Sequence, residues 1–397
     1  MRDGISRCCD QIMKNILCVF GTRPEAVKMA PVILALRKRR HEFRCAVVVT
    51  AQHRDMLDQV LALFGIRPDY DLNVMTNGQS LTTVTVRVLE RLEPVFSREQ
   101  PDLVLVHGDT TSTLAASLAA FYQGAPLGHV EAGLRSLDKK NPYPEELNRV
   151  VADAIGDLHL APTIGARRNL TREGIRFGGI FVTGNTGIDA LHIMMARLRK
   201  RQVPLPSRSL RRLTDGPCVL LTAHRRENFG KPLDAICRAV AVVARRRQDV
   251  QFIYPVHPNP NVTVPVHEAL GDIPNVHLLP PLQYSALVYC LSRVRFVVTD
   301  SGGLQEEGPA LGKPVLVLRN VTERPEAVEA GTARVVGTNE VVIRRWMDRL
   351  FDDPATYSRM ANAVNPYGDG RAAARTVQAI RFSLGLRRTR PREFQSV

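Results

Sequence analysis

The chain has 397 residues, too many for one ordinary core, so length alone argues for two domains or three. Its apolar fraction of 44% is that of a globular protein, and no apolar run approaches the ~20 residues of a membrane span. The formal net charge of +15 invites a nucleic-acid reading, but the Arg residues are scattered, aromatics are only 6% and no base-stacking motif is present, so nucleic acid and membrane are not expected partners.

Residues 1–14 show no periodicity and lack the apolar core of a signal peptide, so they read as an N-terminal extension of a cytoplasmic protein. The seven cysteines form no C-x-x-C pair; four sit in apolar runs, and no structural metal is expected. Asn15 to Phe20 is a buried-strand run that stops at Gly21-Thr22-Arg23-Pro24-Glu25. Thr22 and Glu25 have capping-box spacing, and Pro24 suits only a first helical turn, so a helix follows to about Arg40. A strand, a tight Gly turn and a helix make an anion site, to which Arg23 and Lys28 would add charge; the plain alternative is an ordinary βα connection. Strand Cys45 to Thr50, a helix to Phe64, helix Thr82 to Phe96, strand Leu103 to Val106, helix Thr110 to Tyr122 and strand Leu127 to Val130 come next. The runs His159 to Pro162 and Ile180 to Gly184 complete a first sheet. This alternation predicts α/β architecture with a doubly wound parallel sheet.

The segment from Arg197 to Gly216 has no apolar period and reads as linker and surface helix. Beyond it the same grammar repeats. Strands Cys218 to Leu221, Phe252 to Val256, Val276 to Leu279, Phe296 to Thr299 and Val315 to Leu318 alternate with helices. The fourth of these meets Asp300-Ser301-Gly302-Gly303, a second anion nest in which two glycines allow close backbone approach. The divisions expected are an extension (1–14), a first Rossmann-like domain (15–184), a second on the nucleotide side (185–360), a returning C-terminal helix (361–385) and a basic tail (386–397). Two such domains facing across a cleft would set both turns on one ligand.

Ligands of open α/β sheets sit outside the carboxyl ends of the strands, and polar residues crowd two consecutive exits. His107-Gly108-Asp109 follows one strand; the segment His129 to Arg149, with Glu131, Glu145, Glu146 and Arg149, follows the next. Glu146 reads as the charged first turn of a surface helix. Glu131 lies between Val130 and Ala132-Gly133, where an unpaired carboxylate seldom sits, and reads as functional.

The strings FGTRPEAVKMAP, TAQHRDMLDQV, HGDTTST, HVEAGLRS, PEELNR, HRRENFG, YPVHPNPNV, DSGGLQEE, GKPVLVLRNVTERPEAVEAG and NPYGDG, in register from about Asn15 to Ala379, closely resemble the non-hydrolysing UDP-N-acetylglucosamine 2-epimerases. The resemblance implies the glycosyltransferase-B architecture, a cytoplasmic homodimer, a UDP-sugar substrate and no NAD or metal cofactor. It implies interconversion of UDP-GlcNAc and UDP-ManNAc through loss of UDP to a glycal and its re-addition. Such chemistry needs cationic and N–H groups for the departing diphosphate, and acid/base groups on both faces of C2. By the family's pattern Asp109, Glu131 and Glu145 surround the sugar and His224 stands near the diphosphate. Arg23, Lys28 and Arg149 are substrate-binding cations, Ser301, Gly302 and Gly303 form the phosphate turn, and Glu307 meets the ribose. Glu131 or Asp109 is the expected base. The plain alternatives are Asp109 as a helix cap and His224 as a structural histidine.

Gln52, His53, Arg225 and His257 resemble a regulatory UDP-sugar site of some bacterial members, although Asp55 and Gly78 depart from its pattern. Lys139 and Lys140 replace an apolar-aromatic pair and would suit a sugar with an extra carboxylate, so a UDP-diacetamido-uronate 2-epimerase is one alternative. A hydrolysing relative that releases ManNAc and UDP, and a glycosyltransferase, are others.

Overall fold

A computed structural model describes residues 13–50, 54–75, 78–322 and 324–395. Two parallel sheets form the frame. The first holds β1 (Lys14–Phe20), β2 (Phe43–Val49), β3 (Tyr70–Asp71), β4 (Leu103–His107), β5 (Leu127–Val130), β6 (Leu158–Ala161) and β7 (Ile180–Val182). The second holds β8 (Cys218–Thr222), β9 (Gln251–Pro255), β10 (Val276–Leu279), β11 (Phe296–Thr299), β12 (Val315–Val317) and β13 (Ala333–Val335). Their orders are β3-β2-β1-β4-β5-β6-β7 and β10-β9-β8-β11-β12-β13, so each is doubly wound and reverses direction beside its first strand. Each sheet has one strand more than the apolar runs announce. β3 and β13 are only 2 and 3 residues long, too short to carry a pattern.

Parallel strands covered on both faces need apolar residues at every position. Ile16 to Phe20 meet that requirement, each 1% exposed or less. Cys18, Cys218, Cys237 and Cys290 are buried as small core residues. Among the described residues no helix is long and apolar enough to cross a membrane, and no cluster of three or more His, Cys, Asp or Glu is placed to hold a metal.

The first chain crossing follows β7. Asn185 caps the helix Thr186–Arg199, which packs on the first-sheet helix Arg23–Arg37 and on the second-sheet helices Tyr284–Arg293 and Gly302–Ala310. The helix Ala372–Ser383 returns to pack on Arg23–Arg37, and Asp189 accepts the N–H groups of Ala372 and Ala373 at 3.0 and 2.9 Å. The basic tail is laid along β7. Phe394 donates its N–H to the Val182 carbonyl at 2.7 Å and is 6% exposed, while Arg167 pairs with Glu393 at 2.6 Å.

Candidate active site

The reversal points place the exits of β1, β4, β8 and β11 around one cleft. At the exit of β1, Gly21 has no room for a side chain: a Cβ would lie 2.0 Å from Thr50 Oγ1. The capping box forms as the spacing predicts, but its anion is internal. Glu25 Oε2 accepts the N–H groups of Gly21 and Thr22 at 2.9 and 2.7 Å, and Oε1 accepts the hydroxyls of Thr110 and Thr113 at 2.7 and 3.0 Å. The first turn therefore spends its donors on the chain's own carboxylate and is not a free phosphate nest. Arg23 and Lys28, on the helix that follows, do face the cleft.

Glu131 leaves β5 in the left-handed region, with φ of 68°. That conformation is unfavourable for a side-chain-bearing residue and is held by its surroundings. Gly133, at φ of 85°, lets the chain pass against Ala166, whose carbonyl would be 2.3 Å from a Cβ. Asp153 anchors the bend, accepting from His129 Nδ1 at 2.6 Å, from Arg135 at 2.8 Å and from the Gly133 N–H at 3.1 Å. His129 Nε2 faces the Gly108 carbonyl at 2.7 Å. Both ring nitrogens meet acceptors, so the ring is held as an imidazolium; burial would lower its pKa, but Asp153 and the Gly108 carbonyl raise it.

The Glu131 carboxylate is itself surrounded by two cations and a histidine. Lys28 Nζ lies 2.5 Å from Oε2, His107 Nε2 2.9 Å from Oε2 and an Arg324 nitrogen 3.5 Å from Oε1. Burial pushes the acid up, but Lys28, His107 and Arg324 overcome it and hold Glu131 well below the usual carboxylate range. Asp109 is not the cap of the next helix, because Thr110 is, accepting the Thr113 N–H at 3.2 Å. Asp109 instead pairs with buried Arg149 at 2.5 Å and is 31% exposed. Glu145 opens the helix Glu145–Ile155, and its Oε2 is buried without a hydrogen-bond partner among the described residues. Glu146 turns away. It accepts the N–H groups of Ser136 and Leu137 at 2.9 and 3.0 Å and so shapes the loop over the cleft.

On the second sheet, buried Asp300 accepts the N–H groups of His224 and Arg225 at 2.7 and 2.8 Å and the Asn228 amide at 3.0 Å. This folds the β8 exit and leaves His224 Nδ1 3.5 Å from Asp300 Oδ1. The His224 ring stacks on His257, with centroids 5.5 Å apart, and burial lowers its pKa more than Asp300 raises it, with Arg225 and His257 lowering it further. His224 is therefore neutral near pH 7, able to donate one hydrogen bond. Ser301 caps the helix Gly302–Ala310 without a side-chain bond, and the guanidinium groups of Arg225 and Arg324 lie about 4 Å from where a Gly302 Cβ would be. Arg23, His224, His257, Ser301, Gly303 and Glu307 line one cavity of about 220 Å3. Burial and the neighbouring Glu306 charge push the Glu307 carboxyl up to about 7.

The structure thus gathers Asp109, Glu131, Glu145, Arg149, Lys28 and Arg23 on the first sheet's side, and His224, Ser301, Gly302, Gly303 and Glu307 on the other. Arg225 and His257 adjoin this same cleft; Gln52 and His53 lie outside the described residues. His107 is marked in the sequence only as part of a strand exit, and Glu306 and Arg324 carry no mark of their own. Each stands inside a recognised motif, but the signal that would have marked it is a contact between distant positions: Arg324 meets Glu131 across 193 positions.

A model of the UDP-N-acetylglucosamine 2-epimerase family matches residues 35–381. A Salmonella typhimurium UDP-N-acetylglucosamine 2-epimerase is 52% identical over 370 residues, 92% of this chain and 98% of its own. A Staphylococcus aureus protein solved with UDP is 46% identical with a TM-score of 0.88, covering 96% of this chain and all of its own length at 100%. A Neisseria meningitidis UDP-GlcNAc 2-epimerase bound to UDP-GlcNAc is 45% identical with a TM-score of 0.85, covering 92% of this chain and 99% of its own. The two halves of the cleft sit on a chain matched along nearly its whole length, and the chain belongs to the UDP-N-acetylglucosamine 2-epimerase family.

Proposed function

We propose that this chain interconverts UDP-GlcNAc and UDP-ManNAc without net hydrolysis, as a cytoplasmic homodimer that uses neither NAD nor metal. The observation that carries the proposal is the division of labour across the cleft. Carboxylates Asp109, Glu131 and Glu145 crowd one side, and His224, Arg225 and the Ser301–Gly303 turn stand on the other. The C2 hydrogen is not beside a carbonyl, so removing it alone is very unfavourable. Loss of the C2 proton coupled to cleavage of the C1–O bond leaves a C1=C2 double bond and carries the electron pair out with UDP. Return of the diphosphate oxygen to C1, with a proton delivered to the opposite face of C2, gives the epimer.

In this reading Ser301, Gly302 and Gly303 take the diphosphate on backbone N–H groups, and His224 adds a donor as charge builds on the leaving oxygen. Arg23 and Glu307 hold the nucleoside. Asp109 and Glu145 are the acid/base pair with access to the sugar, since Glu131 is committed to Lys28, His107 and Arg324 and serves as a fixed anion beside the reacting carbon. Arg149 sets the Asp109 carboxylate. Of the two expected bases, this reading gives Asp109 the C2 proton, with Glu145 acting on the other face. Chromatography of a UDP-GlcNAc incubation tests the outcome. UDP-ManNAc with no lasting release of UDP is expected, and stoichiometric free ManNAc and UDP would instead assign the hydrolysing reaction.

A further inference from the structure

The two domains are joined by two stretches of chain, and these run side by side. The first leaves β7 at Gly184, which has φ of 85°. The second runs from Tyr367 to Gly370, ahead of the helix Ala372–Ser383. The Asn185 N–H donates to the Tyr367 carbonyl at 2.7 Å. Arg375 ties the same pair of crossings. One of its terminal nitrogens donates to the Thr183 carbonyl at 3.3 Å, and the two together meet both Asp369 oxygens at 2.7 and 2.6 Å. The Phe394 ring lies over this junction, with the Arg375 guanidinium 5.4 Å from its centroid. The Phe394 Cγ, the Tyr367 carbonyl oxygen and the Ala372 Cβ lie 3.5, 3.5 and 3.6 Å from where a Gly184 Cβ would be.

We propose that residues 390–394 form a strap that fastens the two crossings together and so limits how far the second domain swings open. The strap is anchored on the first domain. β7 is the edge strand of its sheet, and Phe394 donates its N–H to the Val182 carbonyl at 2.7 Å. Arg390 donates to the carbonyls of Ile180 and, at 3.3 Å, Gly178, and its guanidinium lies 4.9 and 4.1 Å from the ring centroids of Phe177 and Phe181. Glu393 accepts from Arg390 at 2.7 Å and from Arg167 at 2.6 Å. Tyr367 is fixed instead to the second domain, where its hydroxyl donates to the Arg324 carbonyl at 3.2 Å and accepts the Ala327 N–H at 3.1 Å. A swing of the second domain therefore moves Tyr367 relative to Gly184 and disturbs the packing beneath the Phe394 ring. A segment that only covered the sheet edge would need the β7 contacts alone. Burial of Phe394 against the junction, at 6% exposed, is the added feature. The family match ends at residue 381, and the strap lies beyond it. The proposal concerns the hinge and is independent of which reaction the cleft performs.

The test compares wild type with a chain ended after Arg388 and with Phe394→Ala and Phe394→Leu, so that a shortened chain that does not fold still leaves two full-length variants. Amide hydrogen exchange reports the junction without any ligand. Exchange at residues 183–187 and 367–373 is expected to run about 10-fold or more faster in the shortened chain and in Phe394→Ala, and near wild type in Phe394→Leu, while β1 and β4 keep their rates. X-ray scattering of the free protein is expected to give a larger radius of gyration in the same two variants, returning to the wild-type value with saturating UDP. UDP is expected to bind them about 3- to 10-fold more weakly, as the closed population falls to about a third to a tenth. Faster exchange confined to residues 178–182 would overturn the proposal and leave the segment an edge cover, as would an unchanged radius of gyration. A wild type that binds no UDP while exchange and scattering behave as expected would overturn only the function assigned above.

Discussion

Replacing Lys28 by Met removes the ammonium shared by Glu131 and Glu306 while keeping most of the volume of the stem. At an effective dielectric of about 20, contacts of 2.5 and 3.5 Å are each worth several kcal/mol gross, but the desolvation of Lys28 offsets much of that. Leaving a buried partner uncompensated costs about 3 to 5 kcal/mol net. At about 2.1 cal/mol/K per residue, 397 residues melting as one unit have an unfolding entropy near 0.8 kcal/mol/K, so Tm should fall by about 4 to 6 °C at pH 7.5. The deficit should depend on pH. In the wild type Glu131 is held well below the usual carboxylate range, so it contributes stability that is present above about pH 4.5 and is lost only as the pH falls through that lowered value. Without Lys28, burial gains the upper hand, Glu131 takes up its proton at a higher pH, and the variant is relieved of an uncompensated charge. The gap between the two proteins should then narrow on acidification, by about 1.4 kcal/mol for each unit that Glu131 rises. Calorimetric scans of both proteins from pH 8 to pH 5 measure this. A deficit that stays constant across that range, or no deficit at all, would refute Lys28, Glu131 and Glu306 as a stabilising and mutually ionising unit.

Three further outcomes follow from the same geometry. Glu146→Ala should strand the N–H groups of Ser136 and Leu137, at about 1 to 3 kcal/mol, and should speed proteolysis within residues 134–144; limited digestion beside wild type reads this directly. Glu307 has a folded value raised to about 7, so its ionisation costs stability as the pH rises from about 4.5 through 7, by up to about 3 kcal/mol; Glu307→Gln should therefore melt above wild type at pH 8 and with it at pH 4.5, while binding UDP more weakly by titration calorimetry. Phe394→Ala should destabilise the fold by about 2 to 4 kcal/mol in urea unfolding, because the ring is buried beside Gly184 with Arg375 over its face.

Much of this molecule can be read from local pattern. A parallel sheet covered on both faces leaves continuous apolar runs, so Ile16–Phe20 and Phe296–Thr299 stand out, and Thr22 with Glu25 states its own cap. β3 and β13 lack the length to be seen, and the helices Ile164–Arg172 and Pro354–Ala361 carry too little apolar period to stand out from loops. The carboxylates at the strand exits were legible because topology dictates where ligands lie. The partners of those carboxylates were not. That Glu25 fills the first anion turn depends on Thr110 and Thr113, and that Glu131 is clamped depends on Arg324, contacts made only once the chain has crossed between sheets. Charge pairing is set by tertiary approach and leaves no periodic trace.

The measurement that tests the central claim most directly is a proton NMR time course of the purified chain with UDP-GlcNAc in deuterated water. The account predicts new anomeric signals of UDP-ManNAc together with deuterium entering at C2 of both sugars, and loss of both effects, by about 100-fold or more, in Asp109→Asn and Glu145→Gln. Epimer formation with the C2 hydrogen retained, or a spectrum that does not change, would contradict it.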